Sequence, residues 1–234
     1  MRVGTIKVTL VVTEVVVIAT RIAVGVPPQL ARRGNRVLRP RDASEVYANP
    51  RKELARLART GVARRLGTGY YALVPQHRLG DLQWRPDLHA AALGIAQADY
   101  GTDTVALMGV SAARQHGAIP RAVAVAVVAV PKQRPTLRLA VGEIVFVERD
   151  AARLEVERLD SELTSGWVTT VEQTLLDLAA RPALGGLTMN ETRQAAQALA
   201  TRADWELLVR LAKEQHRPSA LRRAAEWTGR TSGA

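Results

Sequence analysis

The sequence predicts an α+β chain of two domains, and three observations carry that expectation. Residues Met1 to Gly80 hold 15 Lys/Arg against 4 Asp/Glu, a balance of +11, whereas Asp81 to Ala234 holds 18 of each. The basic third spells helix, turn, helix and hairpin in order. Behind it, valine-rich stretches come first and amphipathic helical stretches last, the segregation of an α+β domain. A chain of 234 residues is long enough for two cores.

Composition narrows the chemistry. Cysteine is absent, which excludes disulfides and thiolate metal sites and suits a cytoplasmic protein. With one Phe, four Tyr and four Trp, the cores must be filled by Leu, Val and Ala. An apolar leader covers residues 1–26, yet Glu14 and Arg21 interrupt it and leave between them an uncharged run of only Val15 to Thr20, too short for a membrane span. Ala19-Thr20-Arg21 is a poor signal-peptide cleavage site, so the leader is expected to pack on the first domain or to attach loosely.

Pro27 and Pro28 open a short helix through Leu30 and Arg33 that Gly34 and Asn35 terminate. Arg36-Val37-Leu38 is extended, and Pro40 and Asp42 introduce a brief helix that Ala48-Asn49 breaks. Asn49 as N-cap and Pro50 as first helical residue start a helix to about Thr60, with Gly61 at its end. At about 100° per residue, Leu54, Leu57 and Ala58 form an inward stripe, and Lys52, Arg56 and Arg59 stand opposite. Such a helix is anchored on one side and offers long cationic donors to phosphates and guanine edges on the other. Arg51 and Asn49 reach base edges from its amino-terminal end.

Val62 to Leu66, Gly67-Thr68-Gly69 and Tyr70 to Leu73 read as two strands joined by a glycine turn. A hairpin directly behind a recognition helix is the wing of a winged helix-turn-helix. Arg64 and Arg65 bring cations to flanking phosphates, and Thr68 sits at a tip whose glycines permit close backbone approach.

The run from Lys52 to Gly61, followed by Val62 to Tyr71 and closed by Leu73-Val74-Pro75, resembles the winged-helix region of AbiEi-type antitoxins of type IV toxin-antitoxin systems. Gly109 to Gly117 and Thr170 to Pro182 are similar to that family's carboxy-terminal part, so the likeness spans about residues 28 to 185. The resemblance implies an antitoxin that neutralises a cognate nucleotidyltransferase-like toxin, with direct binding left open. It further implies autoregulation: the repressor binds inverted repeats in its own promoter, two copies per operator. In those terms the chain divides into a leader (1–26), a winged helix-turn-helix (27–80) and an α+β antitoxin domain (81–234).

In that second domain Asp87 to Gln97 reads as a helix, and Ser111 as the N-cap of a short one ending at His116-Gly117. Val123 to Val130 is a strand, Leu137 to Val147 a hairpin about Gly142, and Leu154 to Leu159 a half-exposed strand. Helices follow Trp167. The first has a Thr170–Gln173 capping box; later ones are capped by Asn190 and Asp204 or opened by Pro218. Lys132 to Pro135 reads as a solvated basic loop, Glu172 and Asp177 as surface or cap residues, and His116 as a packed terminal residue.

No catalytic, metal or cofactor site is expected. Gly109 to Ala113 is not a nucleophile elbow, the four histidines lack ligand spacing, and no phosphate-binding or dinucleotide fingerprint occurs. Two other functions remain open on the residues alone. One is a transcriptional regulator whose second domain senses a ligand or dimerises. The other is a scaffold or RNA-binding module using the same basic surface.

Overall fold

The computed structural model describes residues 26–230, so the leader expected over 1–26 lies, Val26 apart, outside the described residues. The chain divides into two compact units, Met1–Arg85 and Pro86–Ala234. Its described part is mixed α+β, with a three-stranded sheet in the first unit and a six-stranded sheet in the second.

In the first unit, helix α1 spans Pro28–Ala31, strand β1 Val37–Leu38, helix α2 Pro50–Arg59, and strands β2 and β3 Ala63–Gly67 and Tyr70–Leu73. A 3-10 turn, Pro40–Ala43, stands where the brief helix was expected. The turn is closed by Asp42, whose carboxylate accepts from the Arg39 N–H at 2.8 Å and pairs with the Arg39 guanidinium at 3.0 Å. The β2–β3 hairpin turns tightly through Thr68-Gly69, with Gly67 opposite Tyr70 and a bulge after Arg65. Gly69, second in the turn, has φ of 83°, a left-handed conformation that glycine adopts without steric cost. β1 completes the sheet on the far side of β3, in the order β1-β3-β2, antiparallel throughout.

One small core holds this unit. Leu30, Leu38, Leu54, Leu57, Val62 and Leu73 meet in it, and Leu54 and Leu57 are wholly buried. Each buried leucine contributes about 2 kcal/mol of hydrophobic stabilisation, so Leu57→Asp would detach α2 from its sheet.

The second unit opens with α3, Leu88–Tyr100, whose cap is Asp87, accepting from the backbone N–H groups of His89 and Ala90. Every α3 residue from Leu88 to Gln97 is buried, the pattern of a helix covered on all sides. Next come β4 (Ala106–Leu107), α4 (Val110–Gln115), β5 (Val125–Val130), β6 (Leu137–Leu139), β7 (Gly142–Glu148), β8 (Val156–Asp160) and β9 (Ser165–Thr169). Helices α5 (Val171–Ala180), α6 (Met189–Ala200), α7 (Trp205–Glu214) and α8 (Pro218–Thr228) follow.

The strands lie in the order β6-β7-β5-β4-β9-β8, with β5 parallel to β7 and β4 parallel to β9. Alternation along β5 splits the packing: Val127 and Ala129 join α4 to α8 in the larger core, while buried Ala126 and Val128 face the side that α3 covers. β5 is therefore covered on both faces, while the edge strands β6 and β8 stay partly exposed.

Several sequence expectations are corrected here. Trp167 belongs to strand β9 rather than to the approach of a helix. Ser111 lies inside α4, whose N-cap is Gly109; its Oγ accepts from the Val127 N–H at 2.7 Å and bonds His89 Nδ1 at 3.0 Å, so it ties helix to strand. Thr188, not Asn190, caps α6, in a reciprocal box with Glu191 that lowers the Glu191 carboxyl to about 2. Thr170 caps α5 through the Gln173 N–H, yet the Gln173 side chain turns inward instead of completing a box. Glu172 and Asp177 are buried; Glu172 accepts from the Asp204 N–H at 2.9 Å. Arg134 leaves the expected basic loop to pair with Asp99 and lie over Phe146.

Candidate nucleic-acid interface

Helix α2 is held by Leu54 and Leu57, which fixes the direction of its opposite side. Arg51, Lys52, Arg56 and Arg59 are all exposed there. Among the described residues only Arg56 of these four pairs with a carboxylate, meeting Glu53 at 2.8 Å one turn back. An exposed pair of this spacing is weak, about 0.3–0.5 kcal/mol, and a phosphate could displace it.

Asn49 occupies the N-cap position of α2 without bonding the helix: its side chain makes no cap hydrogen bond. The Glu53 N–H reaches the Asn49 carbonyl at 3.0 Å, and Pro50 has no N–H, so the Arg51 and Lys52 amides begin the helix without intrahelical acceptors. Around that end lies a shallow pocket of about 470 Å³ lined by Pro40, Arg41, Ser44, Asn49, Arg51 and Lys52. Three cations and no carboxylate line it, and the helix dipole adds partial positive charge. Arg41 and Ser44 were absent from the sequence expectation. Nothing local marks them; they join the site only because the Pro40–Ala43 turn folds back beside Pro50.

The hairpin divides its arginines between two tasks. Arg65 is exposed, and among the described residues its Nε donates only to the nearby Gly67 carbonyl, at 3.5 Å. Its neighbour Arg64 points the other way, as successive residues of a strand must. The Arg64 guanidinium donates to the carbonyls of Asp81 at 3.0 Å, Leu82 at 2.9 Å and Trp84 at 3.3 Å. It staples the hairpin to the end of its own unit. Thr68 stands exposed at the hairpin tip.

Beneath the turn preceding α2, Tyr47 is half-buried with its hydroxyl enclosed and no partner to it among the described residues. Burial raises its phenol against the opposing pull of Arg56, so it stays neutral. It supplies packing, not charge.

Elsewhere, Ser111 and His116 do not meet. His116 Nε2 bonds the Thr169 carbonyl at 2.7 Å, and Ser111 pairs with His89 in a spot closed to solvent, where burial lowers the His89 imidazole and keeps it neutral. Among the described residues no group of three or more His, Cys, Asp or Glu could hold a metal ion, and no helix is long and apolar enough to cross a membrane. No protein-family model matches the chain, and no curated protein matches it significantly.

Proposed function

We propose that the chain is a DNA-binding antitoxin that represses its own operon and neutralises a nucleotidyltransferase-like toxin, the first unit acting as a winged helix-turn-helix. The single observation that carries the DNA-binding part is the exposed cationic side of α2, continuous with an acid-free pocket at its amino-terminal end. Arg51 and Arg59 would enter the major groove, where arginine reads guanine bidentately, and Lys52 would meet a phosphate. Arg41 and the first amides of α2 would hold one backbone phosphate and so fix the helix's register, with Arg65 and Thr68 on the adjacent strand. The antitoxin part rests on the sequence resemblance carried by residues 52–75, 109–117 and 170–182.

Two measurements test the reading. Titration of upstream duplex DNA, a shuffled duplex and matched RNA should give tightest binding to the upstream duplex, with two chains per inverted repeat. Equal affinity for all three would leave a non-specific basic module and remove the repressor. Co-expression with a nucleotidyltransferase-like toxin encoded next to this chain should restore growth, and an unrelieved arrest would remove the antitoxin.

A further inference from the structure

A cleft of about 800 Å³ lies in the second unit, within the usual range for small-ligand sites. Pro131 follows β5 and Glu148-Arg149-Asp150 ends β7, so the cleft opens at the carboxyl ends of two parallel strands. That is where open sheets with parallel strands bind ligands. Gln215, His216 and Arg217, from the turn between α7 and α8, form the opposite wall.

The turn is built to deliver Arg217. After α7 the chain makes a paired cap, Arg217 N–H to the Ala212 carbonyl at 2.7 Å and His216 N–H to the Lys213 carbonyl at 3.2 Å, with His216 at φ of 55°. Arg217 then donates to Asp177 Oδ1 at 3.0 Å, and Arg149 approaches the same oxygen at 3.8 Å. Arg149 also donates to Gln215 Oε1 at 3.1 Å, and Gln173 to Asp177 Oδ1 at 3.2 Å. Both guanidinium side chains are mostly buried, 15% and 20% exposed, and are thus held rather than swinging in solvent.

The two arginines are short of close ion-pair partners. Two guanidinium groups share one carboxylate, and among the described residues neither pairs with Glu148, Asp150 or Glu214, the acids that also line the cleft. Glu148 is engaged by the Gln133 N–H at 3.2 Å, and Asp150 by the Ala152 N–H and by Arg153 at 3.6 Å; Glu214 is exposed. Burial pushes the Asp177 carboxyl up to about 7, so near neutrality it is only partly ionised. Partly buried cations need a counter-charge. Asp177 supplies one at most at ion-pair distance, which leaves guanidinium donors free to take an oxyanion that enters the cleft.

We propose that this cleft binds a small ligand through an oxyanion, phosphate or carboxylate, gripped by the forked donors of Arg149 and Arg217. Planar guanidinium forks match both kinds of oxyanion and are already positioned by Asp177, Gln173 and Gln215. The site does not depend on the DNA reading, because its test contains no nucleic acid.

Calorimetric titration of the full chain with inorganic phosphate and, separately, succinate, in a buffer free of other oxyanions, tests the proposal. Saturable binding by one or both probes in the millimolar range or tighter is expected, and the tighter probe identifies the source. Arg217→Gln should weaken it about tenfold or more, whereas Arg210→Gln, exposed on α7, should leave it unchanged. Should Arg217→Gln not fold, Arg149→Lys keeps the charge beside Asp177 and removes the fork, and the same weakening is expected. No saturable binding by folded wild type, or equal affinity in the fork-deficient variant, would overturn the proposal.

Discussion

Arg64 and Arg65 are adjacent, equally charged and equally eligible as phosphate contacts by sequence, yet their surroundings assign them different work. Consider Arg64→Ala. It removes three donors from the carbonyls of Asp81, Leu82 and Trp84. A hydrogen bond contributes about 0.5–1.5 kcal/mol net; these are largely exposed, and Arg85 also donates to Leu82 and Trp84, so part of the capping survives. We therefore expect a loss of about 1–2 kcal/mol in the first unit, a fall of roughly 0.5–1 M in the urea midpoint. Because Trp84 shares the chain with Trp167, Trp205 and Trp227, amide exchange is the more local measure. The Gln83 and Trp84 amides, bound to Asp81 Oδ1 at 2.9 and 3.0 Å, should exchange faster. An unchanged midpoint and unchanged exchange, together with weaker DNA binding, would make Arg64 a phosphate contact and refute the reasoning.

Three further outcomes follow from the same geometry. Arg65→Ala and Lys52→Ala should each lower affinity for every duplex sequence and reduce the salt slope by about one, with stability within about 0.5 kcal/mol of wild type, as salt-dependent titrations and urea melts will read. Gly142→Ala should cost about 3 kcal/mol in thermal or urea unfolding, because the new Cβ would lie 2.3 Å from the Ala124 carbonyl oxygen at a φ of 145°. For Asp177 the sign is the reverse of an ordinary surface carboxylate: burial outweighs pairing with Arg149 and raises the folded carboxyl from 3.8 to about 7. The folded state then holds a proton that the unfolded state has released, so the stabilisation present below about pH 4 is lost as pH rises toward and through about 7. Asp177→Asn should flatten that decline in pH-dependent melts, and an equal decline in both proteins would count against it.

How much of this was legible follows from what each signal depends on. Caps and turns are written locally: Asp204 and Pro218 stand where short-range rules put them, and the hairpin turns where expected, though through Thr68-Gly69 alone because Gly67 joins the strand. Strand β9 was missed because Trp167 and its neighbours carry no long apolar alternation; β4, two residues long, exists only through its neighbours β5 and β9. Asp177 was misread because a carboxylate on an apolar helix resembles a surface residue until Arg149 and Arg217, one upstream and one downstream, close over it. Likewise Gln173 fits a capping box by spacing, and only the arrival of Gln215 draws its side chain inward.

The same logic limits what net charge says about the basic third. Its excess of +11 invites the conclusion that every arginine there faces a polyanion. Two of them are spent on the fold instead: Arg39 closes a turn through Asp42, and Arg64 gathers three carbonyls; Arg56 only leans on Glu53 in a weak exposed pair. A guanidinium with five donors satisfies backbone carbonyls as readily as phosphates, so strand parity decides between them. Moving Arg64 one position along β2 would turn it to the other face and free it, and moving Arg65 would capture it. What α2, its preceding turn and one edge of the hairpin offer a duplex is a smaller set than charge alone suggests: Arg41, Arg51, Lys52, Arg56, Arg59 and Arg65. A slope of salt dependence near this number of contacts, rather than near the full excess of charge, is what such a division requires.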